Sequence, residues 1–338
     1  MRLRTSDPKR PGLERIRHGR GFSYRDTQGT AVRDRQELER IRALAIPPAW
    51  TQVWICPWVN GHIQALGTDA AGRRQYLYHP RFRAQQDAAK HEHVLELAAR
   101  LPELRTRVEA DLGQRGLTRD RVLGCAVRLL DLGFFRIGSD SYARENGSYG
   151  LTTLLREHVV CRRDGVQFDF PAKSGRRRVQ TLTDETACRA VTALHRRRSG
   201  GDRLLAYCQA GAWHEVHGQE LNDHLKELTG LEVSGKDFRT WHATVLAAVG
   251  LAVSEQMADQ APTTRRRAEL RTVREVADYL GNTPAVCRAS YIDPRLFELY
   301  EEGRTISAAL PALGSDTRFG LPGTQGAVER AVRELLQG

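Results

Sequence analysis

Tyr291 closes the stretch LGNTPAVCRASYIDP, whose residue types frame a phenol for chemistry. Thr283 before Pro284 reads as a helix N-cap followed by proline at the first helical position. The helix then covers 285–290 and must stop near Tyr291, because Pro294 disfavours helix in the residues before it. A phenol at a helix exit can point into a cleft rather than lie in a core. Asn282, just ahead of the cap, keeps its amide free for something other than the helix. Alone, a tyrosine at a helix end is usually a packing residue, so the weight falls on its company. Attack by a tyrosine on a phosphodiester needs positive charge around a pentacoordinate phosphorus and a proton for the departing sugar oxygen. Arg136, in FFRIGSDSYARENGSYGLTTL, follows an apolar helix and precedes a glycine turn. Lys173, in FDFPAKSGRRR, falls between two strand-like runs. Arg239, in KDFRTWHAT, lies in the opening of a helix, where the dipole and free N–H groups also favour an anion.

The composition gives the lysine a special meaning. Of 52 lysines and arginines only five are lysine: Lys9, Lys90, Lys173, Lys226 and Lys236. A guanidinium stays protonated under ordinary conditions, whereas a desolvated lysine can release its proton and act as a general acid. Solvated loop positions are the alternative for both Lys173 and Lys236. The 338-residue chain carries a net charge of +11, which points to a polyanionic partner, most commonly nucleic acid. Arginine triplets at 176–178, 196–198 and 265–267 each read equally well as solvated surface. Together they favour a DNA-facing surface, since each phosphate contact adds salt-dependent affinity. The six cysteines are scattered without a CxxC pair, as expected of reduced thiols inside a cell. The first residues lack the apolar core of a signal peptide, and the longest apolar run, 245–253, is too short to span a membrane. A cytoplasmic protein is expected.

The elements that must position these residues fall into two regions. Between 53 and 78 the runs VWICPW, HIQALG and RQYLYHP are separated by Asn60-Gly61 and by a turn from Asp69 to Gly72, which predicts a small antiparallel sheet. A helix over 35–44 repeats Leu38, Ile41 and Leu44 at helical spacing. Beyond the polar stretch 81–93, helical periodicity covers 95–101, 104–112, 119–132, 184–197, 237–257 and 273–280. Strands over 166–170 and 179–182 form a hairpin with Lys173 on its loop. Residues 308–325 read as loop before a last helix over 327–336. The fold class is α+β: a small, mainly antiparallel β domain over 1–88 and a larger, mainly α-helical domain over 89–338 with a small β-hairpin. WHEVHGQE resembles a zinc-protease signature but spaces His214 and His217 three apart, not four. His91, Glu92 and His93 read as a solvated helix face. No carboxylate cluster with metal-ligand spacing accompanies the motifs, so neither metal nor other cofactor is expected.

The motifs IPPAWTQVWICPWVNGHIQALGTDAAGRRQYLYHP, RIGSDSYARENGSYGLTTL, AKSG, KDFRTWHAT and LGNTPAVCRASYIDP follow a family order, and through them the chain resembles the poxvirus-type, bacterial type IB DNA topoisomerases. AKSG is weak evidence; KDFRTW and GNTPAVCRASY are highly specific. The resemblance implies the catalytic fold shared with tyrosine recombinases, and a monomer whose two domains close on duplex DNA as a clamp. It makes Tyr291 the nucleophile that forms a 3′-phosphotyrosyl bond. Arg136 and Arg239 would hold the nonbridging oxygens, and Lys173 would protonate the leaving 5′-oxygen with Lys236 as helper. Asn282 stands where the viral enzymes have histidine, similar to bacterial members; an amide can donate a hydrogen bond but cannot shuttle a proton. Ala172 replaces a frequent glycine, which implies a stiffer loop. Arg73, Arg74, Gln75, Tyr76, Tyr78, Tyr142 and Lys236 are implied DNA-binding residues, and a nucleoid-associated location follows. Exchange of one phosphodiester for another requires no ATP. A tyrosine recombinase is the alternative, but would place histidine where Lys236 stands. A non-catalytic DNA-binding protein would leave the five-residue set unexplained.

Overall fold

Charged residues hide the first strand of the N-terminal sheet, and the second buries no residue. In β1 (Leu13–His18), LERIRH, only Leu13 is buried, and β2 (Gly21–Arg25) pairs with it antiparallel. These strands are additional to the three runs predicted. After α1 (Arg35–Ala43) come β3 (Thr51–Ile55), β4 (Ile63–Thr68) and β5 (Arg74–Tyr78), completing an antiparallel sheet of order β2-β1-β3-β4-β5. Asp34 caps α1 by accepting the Glu37 N–H at 2.8 Å. Ile41 of that helix joins Leu13, Val53, Ile55 and Ala65 in a small core.

This computed structural model describes residues 2–19, 21–133, 135–257, 262–315 and 322–338. The chain divides into Met1–Lys90 and His91–Gly338. Helix α2 (Pro80–Leu112) runs through that boundary. It includes the polar stretch 81–93, which has no apolar periodicity to announce it, and joins 95–101 to 104–112 without a break at Pro102. Part of the predicted tail loop, 316–321, lies outside the described residues.

The second unit is mainly helical: α3 (Arg119–Gly133), α4 (Asp140–Asn146), α5 (Glu185–Arg196), α6 (Gly218–Thr229), α7 (Gly235–Met257), α8 (Pro262–Leu280), α9 (Pro284–Ser290), α10 (Arg295–Glu301) and α11 (Ala327–Gln337). The predicted hairpin is part of a three-stranded antiparallel sheet: β6 (Val159–Cys161), β7 (Val166–Pro171) and β8 (Arg177–Leu182), with β7 central. A second hairpin, β9 (Ala206–Gln209) and β10 (Ala212–Glu215), was too short to read from sequence. It divides WHEVHGQE between two elements: His214 lies in β10, His217 precedes α6 and Glu220 lies in α6, so the two histidines do not share a helix. His91 is not on a solvated face either. It is buried, with Nδ1 3.8 Å from Asp293.

Every residue of α3 from Val122 to Gly133 is buried, including Arg128 and Asp131. A helix apolar on all sides belongs in the middle of a core, and its two charges are paired. Arg105 donates to Asp131 at 2.8 and 2.9 Å and to Glu329 at 2.6 and 2.9 Å. Trp241 Nε1 donates to Glu329 at 3.0 Å. One guanidinium thus joins α2, α3 and α11, and Trp241 adds α7. Burial alone would raise the Asp131 carboxyl, but Arg105 and a hydrogen bond with His242 hold it well below the usual range. Arg105→Met leaves two buried carboxylates uncompensated and should cost about 3–5 kcal/mol, read as a lowered urea midpoint.

Candidate active site

Helix α8 ends at Gly281, whose left-handed φ of +65° suits glycine. The Gly281 N–H returns to Asp278 O at 3.1 Å and the Asn282 N–H to Ala277 O at 2.9 Å, the double closure of a Schellman motif. The carbonyls of Tyr279, Leu280 and Gly281 are left over at the negative end of the helix. Each takes a guanidinium. Arg178 Nη1 donates to Tyr279 O at 3.1 Å, Arg239 Nη2 to Leu280 O at 3.0 Å and Arg136 Nη2 to Gly281 O at 3.1 Å. Arg136 Nη2 also donates to Asn282 Oδ1 at 2.7 Å, which sets the amide's orientation. Asn282 Nδ2 is then buried with no hydrogen-bond partner among the described residues.

Separate elements deliver these side chains. Arg136 follows α3 on a segment pinned by the Leu151 N–H to Arg136 O at 2.8 Å and the Thr152 N–H to Ile137 O at 2.7 Å. Close approach there demands glycine, since a Cβ on Gly150 would lie 2.5 Å from Gly138 Cα. Arg239 is one turn into α7 and 2% exposed. Arg178 comes from β8. Tyr291 is the residue that ends α9, as its sequence predicts: Thr283 caps the helix, Pro284 opens it and the Tyr291 N–H bonds Cys287 O at 3.0 Å. Thr244 Oγ1 on α7 donates to Tyr291 O at 3.3 Å and accepts the Asp293 N–H at 3.1 Å. Nothing in the sequence marks Thr244 for this part.

The guanidinium carbon of Arg239 lies 5.4 Å from the Tyr291 ring centroid, and the two side chains share a hydrogen bond. Burial pushes Arg239 down to about 10, with repulsion from Arg136 and Arg178 adding to it and Tyr291 opposing. Burial likewise lowers Arg136, and burial then Arg136 lower Arg178. Carbonyls, an amide and a phenol surround these charges, so the cluster is electrostatically undersupplied and suited to an oxyanion. A cleft of about 390 Å³ is lined by Arg136, Lys173, Arg176, Arg178, Tyr279 and Gly281. Lys173 is exposed on a short turn, Lys173–Gly175, between β7 and β8. Ala172 has φ −99° and ψ −174°, ordinary extended backbone, so alanine is accommodated without strain. Tyr291 is half-buried beside Arg239 rather than on the cleft wall. Among the described residues, no group of three His, Cys, Asp or Glu is placed to hold a metal ion.

The other sequence candidates lie apart from this cluster. Lys236 is exposed in the first turn of α7 and does not line the cleft. Tyr142 is exposed on α4. In the N-terminal unit Tyr76 and Tyr78 share the outer face of β5, stacked 6.0 Å apart, while Leu77 faces the core. Arg74 is exposed. Arg73 and Gln75 both bond Asp69, at 2.9 and 3.0 Å, and brace the turn. The triplets divide: Arg177 pairs with Asp169, and Arg197 is buried on the carbonyls of Leu194 and Leu204, so 196–198 is not a uniform outer surface. Arg178 was visible in sequence only as one of three arginines; strand alternation turns it inward from Arg177.

Because the fold weakens the hold of Arg239 on its proton, its charge opposes folding below about pH 10, and that opposition fades as pH rises through that value. A bound oxyanion should relieve it. Sulfate at ten times its dissociation constant should stabilise by about 1.4 kcal/mol. Thermal unfolding against chloride at matched ionic strength reads the increment, which Arg239→Met should abolish.

The comparisons with known proteins agree with one another. A family model described as the catalytic core of eukaryotic DNA topoisomerase I matches residues 79–308, more than half the chain. A second, the N-terminal domain of bacterial DNA topoisomerase IB, matches residues 21–69. The chain is 28% identical over 298 residues to DNA topoisomerase 1B of Acanthamoeba polyphaga mimivirus, covering 86% of this chain and 88% of that protein. It is 19% identical over 242 residues to DNA topoisomerase 1B of Vaccinia virus (strain Copenhagen), covering 70% and 72%. The chain belongs to the type IB DNA topoisomerase family of isomerases.

Proposed function

We propose that this enzyme relaxes supercoiled duplex DNA by transient cleavage of one strand, without ATP or metal. Tyr291 Oη bonds to phosphorus as its proton leaves to solvent. The P–O5′ bond breaks and Lys173 Nζ–H supplies the proton to O5′, leaving a 3′-phosphotyrosyl enzyme. The strand then rotates under torsion, and religation reverses each step. Arg136 and Arg239 bind the nonbridging oxygens, Asn282 Nδ2 donates one further hydrogen bond, and Lys236 assists near the acid. The enzyme acts as a cytoplasmic, nucleoid-associated monomer. Residues 1–88 contribute Arg73, Arg74, Gln75, Tyr76 and Tyr78 to one jaw of a clamp, and residues 89–338 contribute the chemistry and Tyr142. The reading is carried by the meeting of Arg136, Arg239 and an unsatisfied Asn282 amide beside one half-buried tyrosine.

Relaxation of plasmid should proceed in EDTA without ATP. Tyr291→Phe should abolish it, and denaturant-trapped adduct, while leaving duplex affinity nearly unchanged; adduct formation by that variant would sink the assignment. In single-turnover cleavage Asn282→Ala should lose roughly tenfold to a hundredfold, the worth of about 1–3 kcal/mol for one hydrogen bond. Arg136→Ala and Arg239→Ala should lose more, since each removes a charge aimed at the transition state. An Asn282→Ala defect equal to theirs would mean the amide organises the whole site.

A further inference from the structure

We propose that Arg178 is a positioning residue for Lys173: it latches the hairpin that carries Lys173 to the C-terminal end of α8. The inference rests on the acid role given to Lys173 above. Lys173 Nζ makes no hydrogen bond or ion pair with any described residue, so nothing at the tip of its side chain fixes its place. The bonds of its turn among the described residues are internal: the Ala172 N–H to Arg176 O at 2.8 Å and the Gly175 N–H to Ala172 O at 3.1 Å. The turn therefore goes where β7 and β8 take it.

The two strands are anchored differently. β7 is central in its sheet, paired on both sides, and Pro171 O at its end accepts the Tyr149 N–H at 2.8 Å. β8 is an edge strand with no strand partner on its outer side among the described residues. Its Arg177 turns back within the hairpin to Asp169. Arg178 reaches outward instead: Nη1 holds Tyr279 O at 3.1 Å while Nε contacts Gln180 Oε1 at 3.4 Å, along the same strand. Tyr279 lies three residues before Asn282, on the helix end that also binds Arg136 and Arg239. One bond thus ties the strand beneath the proton donor to the corner that carries the phosphate-binding groups. A guanidinium donating to a carbonyl at the negative end of a helix suits that task, because charge and dipole both favour the contact.

The test compares cleavage of ordinary duplex with a duplex bearing a 5′-bridging sulfur. In the sulfur substrate the P–S5′ bond breaks and sulfur departs as thiolate, with no proton required. Arg178→Ala should slow cleavage of ordinary duplex by roughly tenfold to a hundredfold, the usual penalty of a misplaced catalytic group. On the sulfur substrate it should come within a few-fold of the parent enzyme, which also shows that the variant is folded. Lys173→Ala should show the same rescue, and the double variant should be no slower than Lys173→Ala alone. Arg178→Lys, which keeps a cation able to reach Tyr279 O, should recover part of the loss. Equal defects on both substrates, or additive losses in the double variant, would make Arg178 a phosphate contact and overturn the latch. An unimpaired Arg178→Ala would overturn it too. Failure of sulfur to rescue Lys173→Ala is a separate result: it removes the acid role from Lys173, and the purpose of the latch with it.

Discussion

Carbonyl groups at the end of one helix hold the site together. The Schellman closure at Gly281 satisfies the helix further back and leaves Tyr279, Leu280 and Gly281 with unused oxygens. A helix end of this kind usually meets water or a single cation, and each favourable charge there is worth about 0.3–1 kcal/mol, or up to about 2 kcal/mol when partly buried. In this chain three arginines from distant parts of the sequence meet there. Burial first, and then their mutual repulsion, depresses the proton affinity of Arg239 and Arg178. The carbonyls suffice to gather the charges but do not neutralise them, and that imbalance is what gives the site its appetite for an oxyanion.

Charges crowded in this way stay together only on a stiff support. Arg239 leaves α7 beside Phe238 and Trp241, both fully buried, and Trp241 is itself bonded into the Arg105 network. Arg136 leaves α3, buried from Val122 onward, by a segment locked against residues 150–152. The network need not add net stability, since buried ion pairs often roughly break even against apolar packing. What it does is join α2, α3, α7 and α11 at fixed points, so two of the three arginines start from elements that cannot shift independently.

Much of the candidate site was legible because its signals are local. Thr283, Pro284 and Pro294 bracket the helix that delivers Tyr291, and two strand-like runs bracket Lys173. The continuous apolar faces of α3 and α7 marked their central places. What escaped depends on contacts between residues far apart in sequence. β1 carries Glu14, Arg15 and Arg17 and buries only Leu13, β2 buries no residue, and β6, β9 and β10 span only three or four residues. The start of α2 is mostly polar and has no apolar periodicity. His91 reads as a surface residue until Asp293 is brought beside it. Arg177 and Arg178 are indistinguishable neighbours until the register of β8 sends one to Asp169 and the other to α8. Arg197 looks like part of a surface run, yet it is spent on buried carbonyls.

The grip of Thr244 on the backbone around Tyr291 bears on timing. One hydroxyl, 2% of its residue exposed, holds the carbonyl of Tyr291 and the amide of Asp293 together. Movement of the phenol is thereby confined to rotation about its own side-chain bonds. On the chemistry proposed above, a DNA end joined to that oxygen stays tethered to a fixed point of α7 while the other end turns. Religation then resembles an intramolecular reaction, with one reactant already in place and little entropy left to lose. The lifetime of the break would be set by how often the free end swings past, and not by how long the enzyme takes to rebuild its site.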